Sequence, residues 1–580
     1  MNKSINRGNK KVYIRKLLIL VLILSNILLT SCDLYVQEKY DTENSFEQAA
    51  TNDIQENLES EESQNLPADK QNTEESVEEN IVKLDVFNES YSPSDFQGYN
   101  YWVLIDGKPV ETYSRKPEIS FPKPENYSLV QGITTFRGNN FRNTASFGHV
   151  EVTEKKLEAI WFTKIGYIDT WTGVGWNGQP VIVKWDDEVK NIMNIFPAKK
   201  EKDNLVEVIY GTLDGKIYFL DLEDGNPTRE PIDIGYPIKG SVAVDPRGFP
   251  LLYTGQGISE KNGEQGPIGF RIFSLIDQKQ LLFIDGIDPH AYRLWGAFDS
   301  VPLVDGYTDT LLVCGENGIV YTVKLNTDFN LEKATISISP EIVKYRYTSP
   351  FGTRIGVENS PAVYKNFVYF ADNSGLFQCL DINTMKPVWA RNVTDDTDST
   401  TVLEEISPSD VFLYTACEVD KQGLGGFSFM RKINALTGEL LWEKSIECVY
   451  DTDNNGGALA TPIVGKNEID NLVIFNIGRT GSKGYKGTLL ALDKNSGREI
   501  WKVDMDYYSW SSPVDIYTKS GKAYIIICDS GGYMRLLDGK TGKEYYRIPL
   551  EANIEGSPAV FGNIIVVGTR GQKIWGIKIK

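Results

Sequence analysis

An all-β, eight-bladed β-propeller of four-stranded antiparallel blades is the fold this 580-residue sequence predicts. Three observations carry the prediction. From about Gln179 one pattern recurs eight times: a small residue and Pro open a strand, an apolar strand and a Gly turn follow, then a strand ending in Leu-Asp, a second turn and a strand carrying Trp. The glycines marking the central turn (Gly215, Gly269, Gly318, Gly375, Gly426, Gly487, Gly532 and Gly571) fall about 51 residues apart, the period of a four-stranded blade. The last copy holds only three strands, while a lone strand-like segment, LEAIWFTKI at 157–165, precedes the first. An N-terminal strand is therefore expected to complete the last blade and close the ring, which removes two free sheet edges at once.

The elements follow in chain order. Residues 1–32 carry six basic residues, then the apolar run Leu17 to Leu29, the length of a signal-peptide core and short for a membrane span. The run ends in Leu29-Thr30-Ser31-Cys32, which resembles the lipobox of bacterial lipoproteins. That resemblance implies a diacylglyceryl group on Cys32, a cleaved signal and an extracytoplasmic body held at the membrane, since two acyl chains anchor stably. An uncleaved N-terminal anchor helix is the alternative. Residues 33–85 form an acidic, aromatic-poor stretch, with net charge -13 over 33–80, expected to be a disordered tether. In 86–125 the Asp106-Gly107 turn between alternating apolar runs predicts a small hairpin extension. The propeller is expected over 126–580.

Composition excludes more than it selects. The net charge of -19 argues against nucleic acid, which demands clustered Lys and Arg. Cys314, Cys379, Cys417, Cys448 and Cys528 are scattered, odd in number and mostly in apolar runs, so they read as buried free thiols. His149 and His290 are the only histidines, which excludes histidine-based metal triads. No phosphate-binding loop or HExxH motif occurs.

ALTGELLW at 435–442 and ALDKNSGREIW at 491–501 resemble the tryptophan-docking motif of quinoprotein-like (PQQ-repeat) propellers, with weaker copies around Lys386–Trp389 and Asp538–Tyr546. TFRGNNFRNTASFG at 135–148 resembles the segment that precedes the first blade in that family. The resemblance implies that Trp161, Trp389, Trp442 and Trp501 pack against neighbouring blades as structural docking residues. The family includes quinone-dependent dehydrogenases and non-enzymatic lipoproteins such as the propeller subunit of the outer-membrane assembly machine. Dehydrogenases of the alcohol type carry adjacent cysteines over the quinone, and no two cysteines here are adjacent.

Connections between blades lie on one face of a propeller, and loops on a rigid scaffold are where binding concentrates. Here they hold Trp171, Trp176, Arg293, Trp295, Arg354, Glu358, Tyr507, Tyr508 and Trp510, the expected binding face, or alternatively packing at the channel mouth. Asp451-x-Asp453-x-Asn455-Gly456 matches the start of a calcium loop but has Pro462 at the twelfth position, so a plain polar turn is the other reading. No catalytic residue stands out. The sequence thus points to a lipid-anchored, non-catalytic module binding an envelope protein, peptide or glycan, with no cofactor required. A PQQ-dependent dehydrogenase and a glycan-active enzyme using loop carboxylates are the alternatives.

Overall fold

The computed structural model describes residues 92–451, 454–481 and 484–580. The expected signal peptide, Cys32, the tether and Asp453 lie outside the described residues.

Eight antiparallel sheets follow one another along the chain, spanning 181–233, 243–285, 303–348, 362–392, 402–447, 463–505, 514–549 and 559–579. Blade 4 shows the plan: Ala362–Tyr364, Phe367–Ala371, Leu376–Asp381 and Lys386–Asn392 pair in that order. Strands second in order are covered on both faces by adjacent blades and read as continuous apolar runs; Ala523–Cys528 (AYIIIC) is buried throughout. Outer strands face solvent on one side and alternate, as in Glu341–Thr348 (EIVKYRYT), whose buried positions are 343, 345 and 347. The last sheet gains its outermost strand from the N-terminal side, Leu157–Lys164 pairing antiparallel with Lys573–Ile579.

Two of the eight glycines used as turn markers sit elsewhere. Gly487 is the second residue of the strand Lys486–Asp493 and Gly269 the first of Gly269–Ser274, because those two blades use longer connections before their third strands. The expected hairpin is present as Asn100–Ile105 and Lys108–Val110, and its first strand pairs with Glu341–Thr348, making blade 3 six-stranded.

Neighbouring blades are locked by tryptophan on glycine. Trp161, Trp389 and Trp442 each donate an indole N–H to a backbone carbonyl of the following blade, at Leu222 (2.9 Å), Ala435 (2.8 Å) and Lys494 (2.9 Å). Each ring lies against a turn glycine of that blade, Gly225, Gly438 or Gly497, and Trp501 lies against Gly542 in the same way. All four glycines have positive φ, between 68° and 77°, and a Cβ there would come within 3 Å of the indole. Trp161 reaches blade 1 from the last sheet, so the same contact joins the two ends of the chain of blades.

Residues 131–147 run through the centre and touch every blade. Gln131–Ile133 pairs with blade 1, and Ser146–Phe147 pairs with blade 8. Between them, backbone bonds reach blade 2 (Val244 N–H to Thr134 O), blade 4 (Val363 N–H to Asn140 O) and blade 5 (Leu403 N–H to Phe141 O). Arg142 donates to the carbonyls of Pro361 and Val301, and Arg137 to those of Pro513 and Pro462, which brings in blades 3, 6 and 7.

Candidate functional site

A cavity of about 40 Å³ lies above this central segment, with Phe136 of the segment among its lining residues. The rest of the lining comes from six inter-blade connections, including Trp176, Asp299, Glu358 and Asp398. Strand order puts every connection from a fourth strand to the next first strand on this face, together with the turns between second and third strands. The cavity is therefore part of the channel mouth.

Aromatic rings form one side of the mouth. Trp171 packs on Trp176 (centroids 5.4 Å apart), Trp176 on Trp510 (6.2 Å) and Trp510 on Tyr508 (5.3 Å). Tyr507 stacks on Tyr533 instead. The Lys239 ammonium sits 4.4 Å above the Trp176 ring and 2.9 Å from Asp299.

Carboxylates form the other side, in two groups whose ligand-type oxygens lie within 4.8 Å of one another: Asp299, Glu316 and Glu358, and Asp396, Asp398 and Glu418. In the first group Asp299 pairs with Lys239, Glu316 accepts the Trp295 indole N–H (2.6 Å), and Glu358 accepts the Asn373 amide (2.7 Å). Burial pushes Glu316 well above the ordinary carboxylate range, Glu358 and Asp299 add to it, and Lys239 and Arg293 oppose it. Burial is also the largest cause raising Asp396, Asp398 and Glu418; repulsion from Glu358 comes next for Asp396 and Asp398, and repulsion from Asp396 comes next for Glu418.

Of the residues singled out from sequence, Trp171, Trp176, Tyr508 and Trp510 come together, and Trp295 and Glu358 belong to the first acidic group. Arg354 is exposed and pairs with Asp420 (3.1 Å), which belongs to neither carboxylate group. Asp451 pairs with Arg479 (3.0 Å), and Asn455 hydrogen-bonds Glu418. Sequence reasoning passed over Lys239, Glu316, Asp396, Asp398 and Glu418. The run Asp395-Asp396-Thr397-Asp398 between two blades was the one local signal available. Asp299, Glu316, Asp396 and Glu418 are buried, and Glu358 and Asp398 are half-buried.

Eight sheets around a plugged channel, locked by tryptophan on turn glycines, make a β-propeller that fits the PQQ-repeat type. The family model described as outer membrane protein assembly factor BamB matches residues 485–580. A lanthanide-dependent methanol dehydrogenase of Methylacidiphilum fumariolicum is 30% identical over 108 residues, 19% of this chain and 17% of that protein. Outer membrane protein assembly factor BamB of Kangiella koreensis is 25% identical over 173 residues, 24% of this chain and 43% of that protein. The chain thus spans less than half the length of either curated relative. A quinohemoprotein alcohol dehydrogenase from Pseudomonas putida HK5 aligns at a TM-score of 0.52 and 14% identity over 77% of this chain and 80% of that one, a likeness of fold.

Relatives of the dehydrogenase kind make pyrroloquinoline quinone the cofactor to test for fit. It is a planar three-ring molecule with three carboxylates. The cavity of about 40 Å³ has room for an ion and a few waters. Its wall presents Asp299, Glu358 and Asp398, which would repel the quinone's carboxylates, and Lys239 is already committed to Asp299. The five cysteines are buried and unbridged, each on its own strand or turn. The residues present do not fit the quinone.

Proposed function

We propose that this chain is a lipid-anchored, extracytoplasmic, non-catalytic propeller whose channel-mouth face binds a protein, peptide or glycan of the cell envelope. The observation that carries this reading is an apolar strip on the single connection between blades 2 and 3. There Ile287, Tyr292, Leu294 and Trp295 are 48%, 49%, 76% and 40% exposed. Neighbouring exposed apolar side chains on a rigid scaffold suit a partner surface more than a soluble monomer's resting face. The aromatic row Trp171, Trp176, Trp510 and Tyr508 lies on the same face, and a mouth lined by carboxylates leaves the dehydrogenase reading without counter-charges for its cofactor. The match to a protein named an assembly factor supports a scaffold role.

The test is photo-crosslinking in intact cells from a reactive residue placed at Ile287, with and without L294D. Specific adducts that disappear with L294D are expected. A crosslink pattern indifferent to L294D would overturn the reading, and so would quinone-dependent dye reduction by the purified chain supplied with quinone and calcium.

A further inference from the structure

The two acidic groups at the mouth differ in one respect that decides their chemistry. The first contains its own cation, Lys239, 2.9 Å from Asp299. The second has none: no ion pair among the described residues involves Asp396, Asp398 or Glu418. Three buried oxygens, Oδ1 of Asp396, Oδ1 of Asp398 and Oε1 of Glu418, also lack any hydrogen-bond donor. Asp396 and Glu418 are 8% and 3% exposed. Carboxylates with no counter-ion and with buried oxygens that no donor reaches are costly unless something compensates them, and the hydrogen bonds of Glu418 with Asp398 and Asn455 compensate only part.

The backbone holds this group in place before any ligand arrives. The Glu418 N–H donates to the Asp396 carbonyl (2.8 Å), and the Thr397 carbonyl accepts the Asn359 amide (2.6 Å). Asp395 turns away from the group and accepts the backbone N–H groups of Asp420, Lys421 and Gln422, clamping the 395–398 connection onto the 418–422 turn. Asn455 hydrogen-bonds Glu418 from the loop between blades 5 and 6. Asp396 and Asp398 are alternate residues of one connection and Glu418 faces them from the next turn. Their oxygens, within 4.8 Å of one another, fall inside the span of about 5 Å that two ligands of one calcium ion can reach.

We propose that Asp396, Asp398 and Glu418 form a binding site for a hard divalent cation of the calcium class, independent of any quinone. The cation replaces the missing counter-ion, and hard carboxylate oxygens without sulfur or imidazole select it over softer metals. Repulsion from Glu358 on Asp396 and Asp398, and between Asp396 and Glu418, becomes attraction toward a shared ion. The site goes beyond the binding-face reading and is assayed without a partner, so either can fail alone.

The experiment uses the purified full chain stripped with EDTA, calcium alone as titrant in calorimetry, and terbium luminescence excited through tryptophan as a second readout. One saturable site is expected, with the melting temperature raised by about 2–3 °C when calcium is at 100 times its Kd. D396N/D398N should weaken binding roughly 100-fold or more, because charge count sets calcium affinity, whereas E316Q in the other group should bind as wild type does. The double amide relieves repulsion and should melt no lower than metal-free wild type; if it fails to fold, E418Q carries the same test. No binding by either readout at millimolar calcium overturns the proposal. So does binding that survives D396N/D398N and E418Q, or that E316Q abolishes.

Discussion

The two ends of the channel solve the burial of charge in opposite ways. At the plugged end Arg142 is fully buried yet donates from all three nitrogens, to the carbonyls of Pro361, Phe136 and Val301 and to the Thr135 hydroxyl. Arg137, equally buried, donates to Pro513 and Pro462 and leaves only its Nε unpaired. Burial lowers both guanidiniums only to about 10, so they remain charged at neutral pH. At the mouth, carboxylates are buried with oxygens that nothing donates to. A charge whose partners are chiefly backbone of the same fold holds that fold together. A charge left without partners marks a place where structure has been subordinated to something else.

The largest effect should come from breaking the satisfied end. R142M removes the cation and strands the carbonyls of three separate segments inside the protein. Losing one partner of a buried charge network costs roughly 3–5 kcal/mol. Denaturant unfolding followed by tryptophan fluorescence should show a drop of that order. A loss below about 1 kcal/mol would mean the plug merely fills space.

A smaller effect isolates the outer lock. At Gly497 φ is 69° and a Cβ would sit 2.8 Å from the Trp442 ring, so G497A adds a clash to left-handed strain. Gly235, at φ 80°, has nothing within 4 Å of the same position, so G235A carries strain alone. The strain costs about 1–2 kcal/mol and the clash adds roughly 1–2 more. The difference between the two variants measures tryptophan docking. If it matched or exceeded the loss in R142M, the ring would be held chiefly at its rim and the plug would be secondary.

How much of this was legible depends on how local the signal is. Eight copies of one strand pattern announce themselves, because each blade repeats the same burial requirement within about 51 residues. The glycine of Leu-Thr-Gly and the tryptophan that docks on it recur at a fixed place in the repeat, so the lock between blades could be read as well. The plug could not be read beyond its likeness to a pre-blade segment. Arg142 meets Pro361 and Val301 only once the ring has formed, across separations of 219 and 159 residues. The acidic groups fail for the same reason: Asp299, Glu316 and Glu358 come from three connections in two blades. The aromatic row was legible as loop composition. Its partition into a stacked row and a separate acidic wall was not, because nothing local says which way each loop side chain turns.

The last prediction tests the mouth through pH. Glu316 is buried between Asp299 and Glu358, with Lys239 and Arg293 as opposing cations and the Trp295 indole donating to it. Its folded pKa lies well above the ordinary 4.5, burial being the largest cause. The folded state therefore holds this proton more tightly than the unfolded chain does. The stabilisation from that proton is complete below pH 4.5 and disappears as pH rises through the folded value. Glutamine mimics the protonated acid and can still accept from Trp295, so E316Q should be neutral near pH 4 and stabilising at pH 8. Urea titrations of E316Q and wild type at both pH values, with EDTA present, give the sign directly. An E316Q advantage that is absent at pH 8, or larger at pH 4, would show that Lys239 and Arg293 already neutralise this wall. The contrast between the two ends of the channel would then narrow to Asp396, Asp398 and Glu418.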